Sequence, residues 1–133
     1  MTADSGSDIY VRTQKANLLV EARAVQIGAD ILVYIWGGDR PHIGAVAAAQ
    51  PRPSLAGENR RSATCSVLTY LGHKEDEVVK LVAEHLSAAL DTHVVVTAGI
   101  HWDGLDQDEI RAIGAGIKEI IRQLTAKLKN RSA

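Results

Sequence analysis

The chain contains a single cysteine, no phenylalanine and few aromatic residues of any kind. Cys65 alone excludes an internal disulfide framework and a CxxC redox or metal pair. No apolar run approaches the roughly 18 residues that a membrane-spanning helix needs. Residues 1–8 are polar and acidic, without the basic start and apolar core of a signal peptide. Fifteen basic against sixteen acidic residues give a net charge of −1, so a global basic surface for nucleic acid is absent. These absences lead to the expectation of a soluble cytoplasmic protein with neither membrane nor nucleic acid as partner.

What is present suits one domain. A chain of 133 residues is long enough to build a core without disulfides or a structural metal. That core must come from Val, Ile, Leu and Ala. We expect a disordered tail over residues 1–8, a single domain over 9–129 and a flexible end over 130–133. Ile9–Thr13 reads as a short edge strand. Leu18–Ile27 alternates as a half-buried strand, and Gly28-Ala29-Asp30 reverses the chain into Ile31–Trp36. That run is nearly all apolar, as in an inner strand covered on both sides. The two form an antiparallel hairpin.

Ala45–Gln50 and Ser62–Tyr70 read as further strands. Between them, Pro51-Arg52-Pro53-Ser54 and Gly57-Glu58-Asn59-Arg60 read as a mobile loop. Helical periodicity starts near Lys74, with Val78, Val79, Leu81, Val82, His85, Leu86, Ala89 and Leu90 on one stripe. Thr92–Ala98 is a β-branched strand. Asp106 and Glu109 have the spacing of a capping box, ahead of a helix carrying Ile110, Ile113, Ile117, Ile120, Ile121, Leu124 and Leu128 on one side. The order gives an α+β, two-layer α/β fold: a mixed, largely antiparallel sheet with two helices on one face. The opposite face keeps apolar residues from Ile31–Trp36 and Thr92–Ala98. Self-association as a homodimer or higher oligomer would cover it.

Three histidine-containing turns follow strands: Gly37-Gly38-Asp39-Arg40-Pro41-His42-Ile43-Gly44, Gly72-His73-Lys74-Glu75-Asp76 and Gly99-Ile100-His101-Trp102-Asp103. The first offers backbone N–H groups and Arg40 to an anion, or it is a connection whose Gly and Pro serve only its shape. The second opens a helix, where Lys74 and the free N–H groups favour an anion. Glu75, Asp76 and Glu77 equally fit ordinary dipole complementation. His42, His73 and His101 would match a three-histidine metal centre if the turns converged, although no HExxH pair is present. Trp36 and Trp102 flank the turns, either packing at the sheet rim or touching a ligand. Cys65 fits a buried strand position as readily as a nucleophile. Arg52, Arg60 and Arg61 could close over a phosphate, dock on an acidic partner or remain solvated.

Taken in order, Gly-Gly-x-x-Pro-His-Ile-Gly at 37–44, His-Lys-Glu at 73–75 and Gly-Ile-His at 99–101 before an Ile-rich helix resemble the LpdD-like prenylated-flavin chaperone family. The resemblance runs from about Leu18 to Leu124. It implies a non-catalytic accessory protein that binds reduced prenylated flavin mononucleotide, with unmodified FMN as a second candidate. The cofactor would come from a flavin prenyltransferase and pass to a UbiD-type decarboxylase of gallate or related hydroxybenzoates. It assigns Gly37, Gly38, Pro41, His42 and Gly44 to one wall of the pocket, His73 and Lys74 to a second, and Gly99, Ile100 and His101 to a third. Arg40 and Lys74 would take the phosphate, Arg60 and Arg61 would add closing contacts, and Trp36 or Trp102 would flank the ring. Two other readings stay open: a metal-dependent enzyme on small aromatic acids using His42, His73 and His101, and a purely structural decarboxylase subunit.

Overall fold

The computed structural model describes residues 8–55, 59–70, 72 and 75–132. Six strands form one sheet: β1 (Asp8–Lys15), β2 (Leu18–Ile27), β3 (Asp30–Gly38), β4 (Ala45–Pro53), β5 (Arg61–Thr69) and β6 (Val94–His101). Their spatial order is β1-β2-β3-β6-β4-β5. Only β3 and β6 run parallel; the remaining pairs are antiparallel. Helix α1 (Asp76–Leu90) packs on β4, β5 and β6, and α2 (Gln107–Ser132) packs on β1 and β2. Both helices therefore cover the same face, as the order of patterns implied.

Strand alternation builds the core from one side only. Val20, Ala22 and Ala24 of β2, Val33 and Ile35 of β3, and Val94, Val96 and Ala98 of β6 are buried beneath the helices. Val82 and Leu86 of α1 and Ile120, Leu124 and Leu128 of α2 meet them. Each fully buried Leu or Ile contributes about 1.5–3 kcal/mol. Alanines on the sheet and branched chains on the helices let the two layers approach closely. The α1 stripe differs at two positions: Leu81 and His85, expected on the apolar side, are exposed. Ser87 is buried instead and donates its hydroxyl to the Thr92 carbonyl at 2.7 Å.

Helix ends follow their chemistry unevenly. Asp106 and Glu109 form the reciprocal capping box, with Glu109 N donating to Asp106 Oδ1 at 2.8 Å and Asp106 N to Glu109 Oε1 at 3.1 Å. Helix α1 begins at Asp76, close to where its periodicity starts, and Glu75 at its N-cap makes no side-chain capping bond. Its carboxylate is used elsewhere, as shown below.

Several boundaries are corrected by pairing that is remote in sequence. Gly99–His101, expected as a turn, continues β6 because Trp36, Gly37 and Gly38 pair with them in register. Pro51–Pro53, expected in the loop, extend β4 against Ala63, Ser62 and Arg61. The pairing of β4 with β6 stops at Ala49, so β4 has an edge there, where proline is tolerated. Asp8, placed with the tail, opens β1. Asn130 and Arg131, placed in the flexible end, continue α2, and Arg131 donates to the Asp8 carbonyl at 3.1 Å. Inner strand β3 is covered by helices on one face only; Tyr34 on the other face is 36% exposed.

Candidate functional site

The parallel pair β3–β6 ends with Gly38 beside His101, and β4 starts beside Ala98 on the other flank of β6. The connection from Gly38 to Gly44 must therefore cross the end of β6. Asp39 N donates to the His101 carbonyl at 2.8 Å, and Gly44 N donates to the Ala98 carbonyl at 2.9 Å. The crossing explains two glycines. Gly38 turns at φ +88° and a Cβ there would stand 2.0 Å from the His101 carbonyl oxygen; a Cβ on Gly99 would stand 1.6 Å from the His42 carbonyl oxygen. Only backbone without Cβ permits that approach.

The crossing sets His42 against the start of α1. His42 Nδ1 donates to the Arg40 carbonyl at 2.9 Å, and Nε2 stands 2.9 Å from Glu75 Oε1. Glu75 is 8% exposed. Oε1 also accepts from Ile100 N at 3.3 Å. Gly44 leaves the space that this carboxylate fills, since a Cβ would come within 2.3 Å of Oε2. One carboxylate thus ties the first turn, the start of α1 and the end of β6 together.

A second constellation lies outward. His101 Nε2 is 2.9 Å from both Arg40 Nη2 and Asp103 Oδ1, and Arg40 and Asp103 form an ion pair at 2.8 Å. With its proton on Nδ1, His101 accepts from Arg40; with a proton on Nε2, it donates to Asp103. The His101 hydrogen bond and then the Arg40 charge hold the Asp103 carboxyl below the ordinary carboxylate range. Arg40 and Asp103 are 67% and 72% exposed, so this group is open to solvent and to ligands.

Beside it, a concavity of about 230 Å³ opens between the start of α1, the end of β6 and the start of α2. Val78, Ile100, Trp102, Leu105, Ile110 and Ile113 form its apolar walls, and Glu75 and His101 contribute the polar groups. Trp102 is 9% exposed and packs towards Gly37, whose missing Cβ would lie 3.5 Å from the indole.

The sequence candidates separate on this frame. Gly37, Gly38, Arg40, His42, Gly44, Gly99, Ile100 and His101 gather at one end of the sheet, with Pro41 inside the crossing segment. Ile100 and His101 line the concavity directly. His73 and Lys74 lie outside the described residues, as do Gly57 and Glu58. Trp36 stands on the bare sheet face, stacked on Tyr34 at 5.7 Å, and does not line this concavity. Arg60 and Arg61 group with Arg52 around the far end of β4. Nine residues of β4 separate that end from Gly44, about 30 Å at strand rise, so these arginines do not close over a ligand at His101 of the same chain.

Sequence reasoning missed Glu75 as a site residue, and missed Val78, Leu105, Ile110 and Ile113 as walls. The available signal was the adjacency of Glu75 to the His73-Lys74 pair. Among the described residues, no group of three His, Cys, Asp or Glu side chains could hold a metal ion; His73 of the expected His42–His73–His101 set lies outside them. Cys65 is partly buried, and burial raises its thiol pKa, the reverse of an activated nucleophile. No helix among the described residues is long and apolar enough to cross a membrane.

Comparison with known proteins adds an independent line. Residues 14–129 match the family model described as the prenylated flavin chaperone LpdD-like domain. Protein LpdD of Lactiplantibacillus plantarum is 27% identical over 119 residues, covering 88% of this chain and 82% of that protein. A chain from the crystal structure of a chaperone complex for yeast 20S proteasome assembly aligns with a TM-score of 0.51 at 14% identity, covering 93% of this chain and 97% of that one. At that identity the likeness is one of fold alone.

Proposed function

The chain belongs to the LpdD-like prenylated flavin chaperone family, and from that premise we propose that it holds reduced prenylated flavin mononucleotide and passes it to a UbiD-type aromatic acid decarboxylase. The carrier is a cytoplasmic protein, acts through a single domain and catalyses no reaction of its own. It receives its cargo from a flavin prenyltransferase. The observation that carries this reading is the apolar concavity bounded by Trp102 and Ile100, with His101 and Arg40 at its edge.

The residues fit such a ligand in parts. A concavity of about 230 Å³ is below the roughly 300–1,000 Å³ of sites that enclose a whole drug-sized ligand. It suits the flavin ring, with the ribityl phosphate extending outwards. The apolar walls would bury the reduced ring away from oxygen. Arg40 would take phosphate oxygens by its guanidinium fork, and the family resemblance assigns Lys74 and His73 to the same ligand. His101 would hydrogen-bond a ring carbonyl or ribityl hydroxyl. The decarboxylation chemistry belongs to the cofactor once it is in the decarboxylase; this chain binds, orients and releases.

Anaerobic native mass spectrometry of the chain with reduced prenylated FMN, and with FMN as control, tests the proposal. The expected result is a discrete adduct that weakens at least about tenfold in Arg40→Ala and His101→Ala proteins, as loss of a charge-assisted contact implies. No adduct with the unsubstituted chain, or equal adducts in all three proteins, would overturn it.

A further inference from the structure

The chain has five aromatic residues, two Trp and three Tyr, and three of them cluster on the sheet face that the helices leave bare. Trp36 stacks on Tyr34 at 5.7 Å and lies 6.4 Å from Tyr10, and the Arg23 guanidinium sits over the Tyr10 ring at 5.0 Å. Aromatic side chains bury more apolar area than any others, yet this chain places only Trp102 in its core. The same face carries Val95 on β6 and Leu68 on β5, which is 78% exposed. Apolar surface therefore extends across the sheet from β1 to β5, beyond the scattered single residues of an ordinary surface.

We propose that this face binds a second copy of the chain, sheet against sheet about a two-fold axis. Six strands of 8–10 residues present a face of roughly 700–800 Å², which matches the ~800 Å² per partner of a stable interface. The charges within it suit self-pairing. Arg12 and Glu21 lie opposite one another, as do Tyr10 and Arg23, and Tyr10 donates its hydroxyl to Glu21. The face thus carries both signs, and an isologous contact lets each sign meet the other. A polyanion such as nucleic acid would find Glu21 in its path. Pairing through this face also leaves the Trp102 concavity free, because that opens on the helix side. The inference rests on the exposed face and not on the cofactor assignment.

Sedimentation velocity from about 1 µM to about 100 µM tests the pairing by mass action. The expected particle has twice the 14.3 kDa chain mass, and Tyr34→Arg, Val95→Arg and Leu68→Arg each shift it towards monomer. All three positions are exposed in the single chain, and circular dichroism checks that each variant keeps its fold. A 14.3 kDa monomer throughout would overturn the pairing and leave the face to a different protein. So would a dimer that survives the arginine substitutions, or an assembly larger than two, since an isologous face closes at two.

Discussion

Two histidine–carboxylate pairs stand at the same end of the sheet with the same separation of 2.9 Å, yet they differ in nearly everything else. His42 and Glu75 are enclosed by the segment crossing β6, by Gly44 and by the start of α1. His101 and Asp103 stand in solvent beside Arg40. Distance does not separate these pairs; burial does. In the enclosed pair each partner lacks water as a substitute, so removing either strands a polar group. In the open pair, water takes the place of a missing partner. The first pair holds the site's shape, and the second is available to a ligand.

The sharpest way to break this contrast is to push the crossing segment off β6. Gly99→Ala places a methyl group on the His42 carbonyl, a backbone collision that no rotamer relieves. Chemical denaturation should show a destabilisation of about 3 kcal/mol, as His42 is driven away from Glu75. Glu75→Gln comes next. It keeps the shape and removes the buried charge facing His42, and thermal unfolding should report a destabilisation of about 2 kcal/mol. A substitution here with no effect on stability would erase the distinction between the pairs.

The smallest effect belongs to Asp103→Asn, which should leave the melting temperature where it was. Its signature is in pH instead. The Asp103 carboxyl is held down by the His101 hydrogen bond and the Arg40 charge, against an ordinary value of about 3.9. A depressed carboxylate contributes above the unfolded value and loses that contribution as pH falls through the folded one. The Asp103–Arg40 ion pair should therefore persist from neutral pH to about pH 4 and be lost only in stronger acid. An NMR titration of the Asp103 side chain checks this: titration at or above the ordinary value would contradict it.

Local pattern carried the layers and hid the site. Alternation in Leu18–Ile27 and the Asp106–Glu109 spacing identify elements because their determinants lie within a few residues. The β6 extension through Gly99–His101 was illegible because its reason is a parallel partner more than sixty residues away. Glu75 reads as a first-turn acid complementing a dipole. Its burial depends on Gly44, at the end of the crossing segment, and on Ile100 of β6. Arg60 and Arg61 read as candidate closing contacts because the loop was expected to begin at Pro51. Once Pro51–Pro53 join β4, the same arginines move to the far end of the sheet. Ile31–Trp36, nearly all apolar, read as covered on both sides, so its pattern did not show that Trp36 stands on the bare face.

The two tryptophans report on the location of the ligand from opposite faces of the sheet. In a Trp36→Phe protein, Trp102 is the sole tryptophan, and its emission can be followed as reduced prenylated FMN is added without oxygen. Saturable quenching of Trp102 is the expected result. Binding seen by mass spectrometry with Trp102 emission unchanged would contradict the account and move the cofactor away from this concavity.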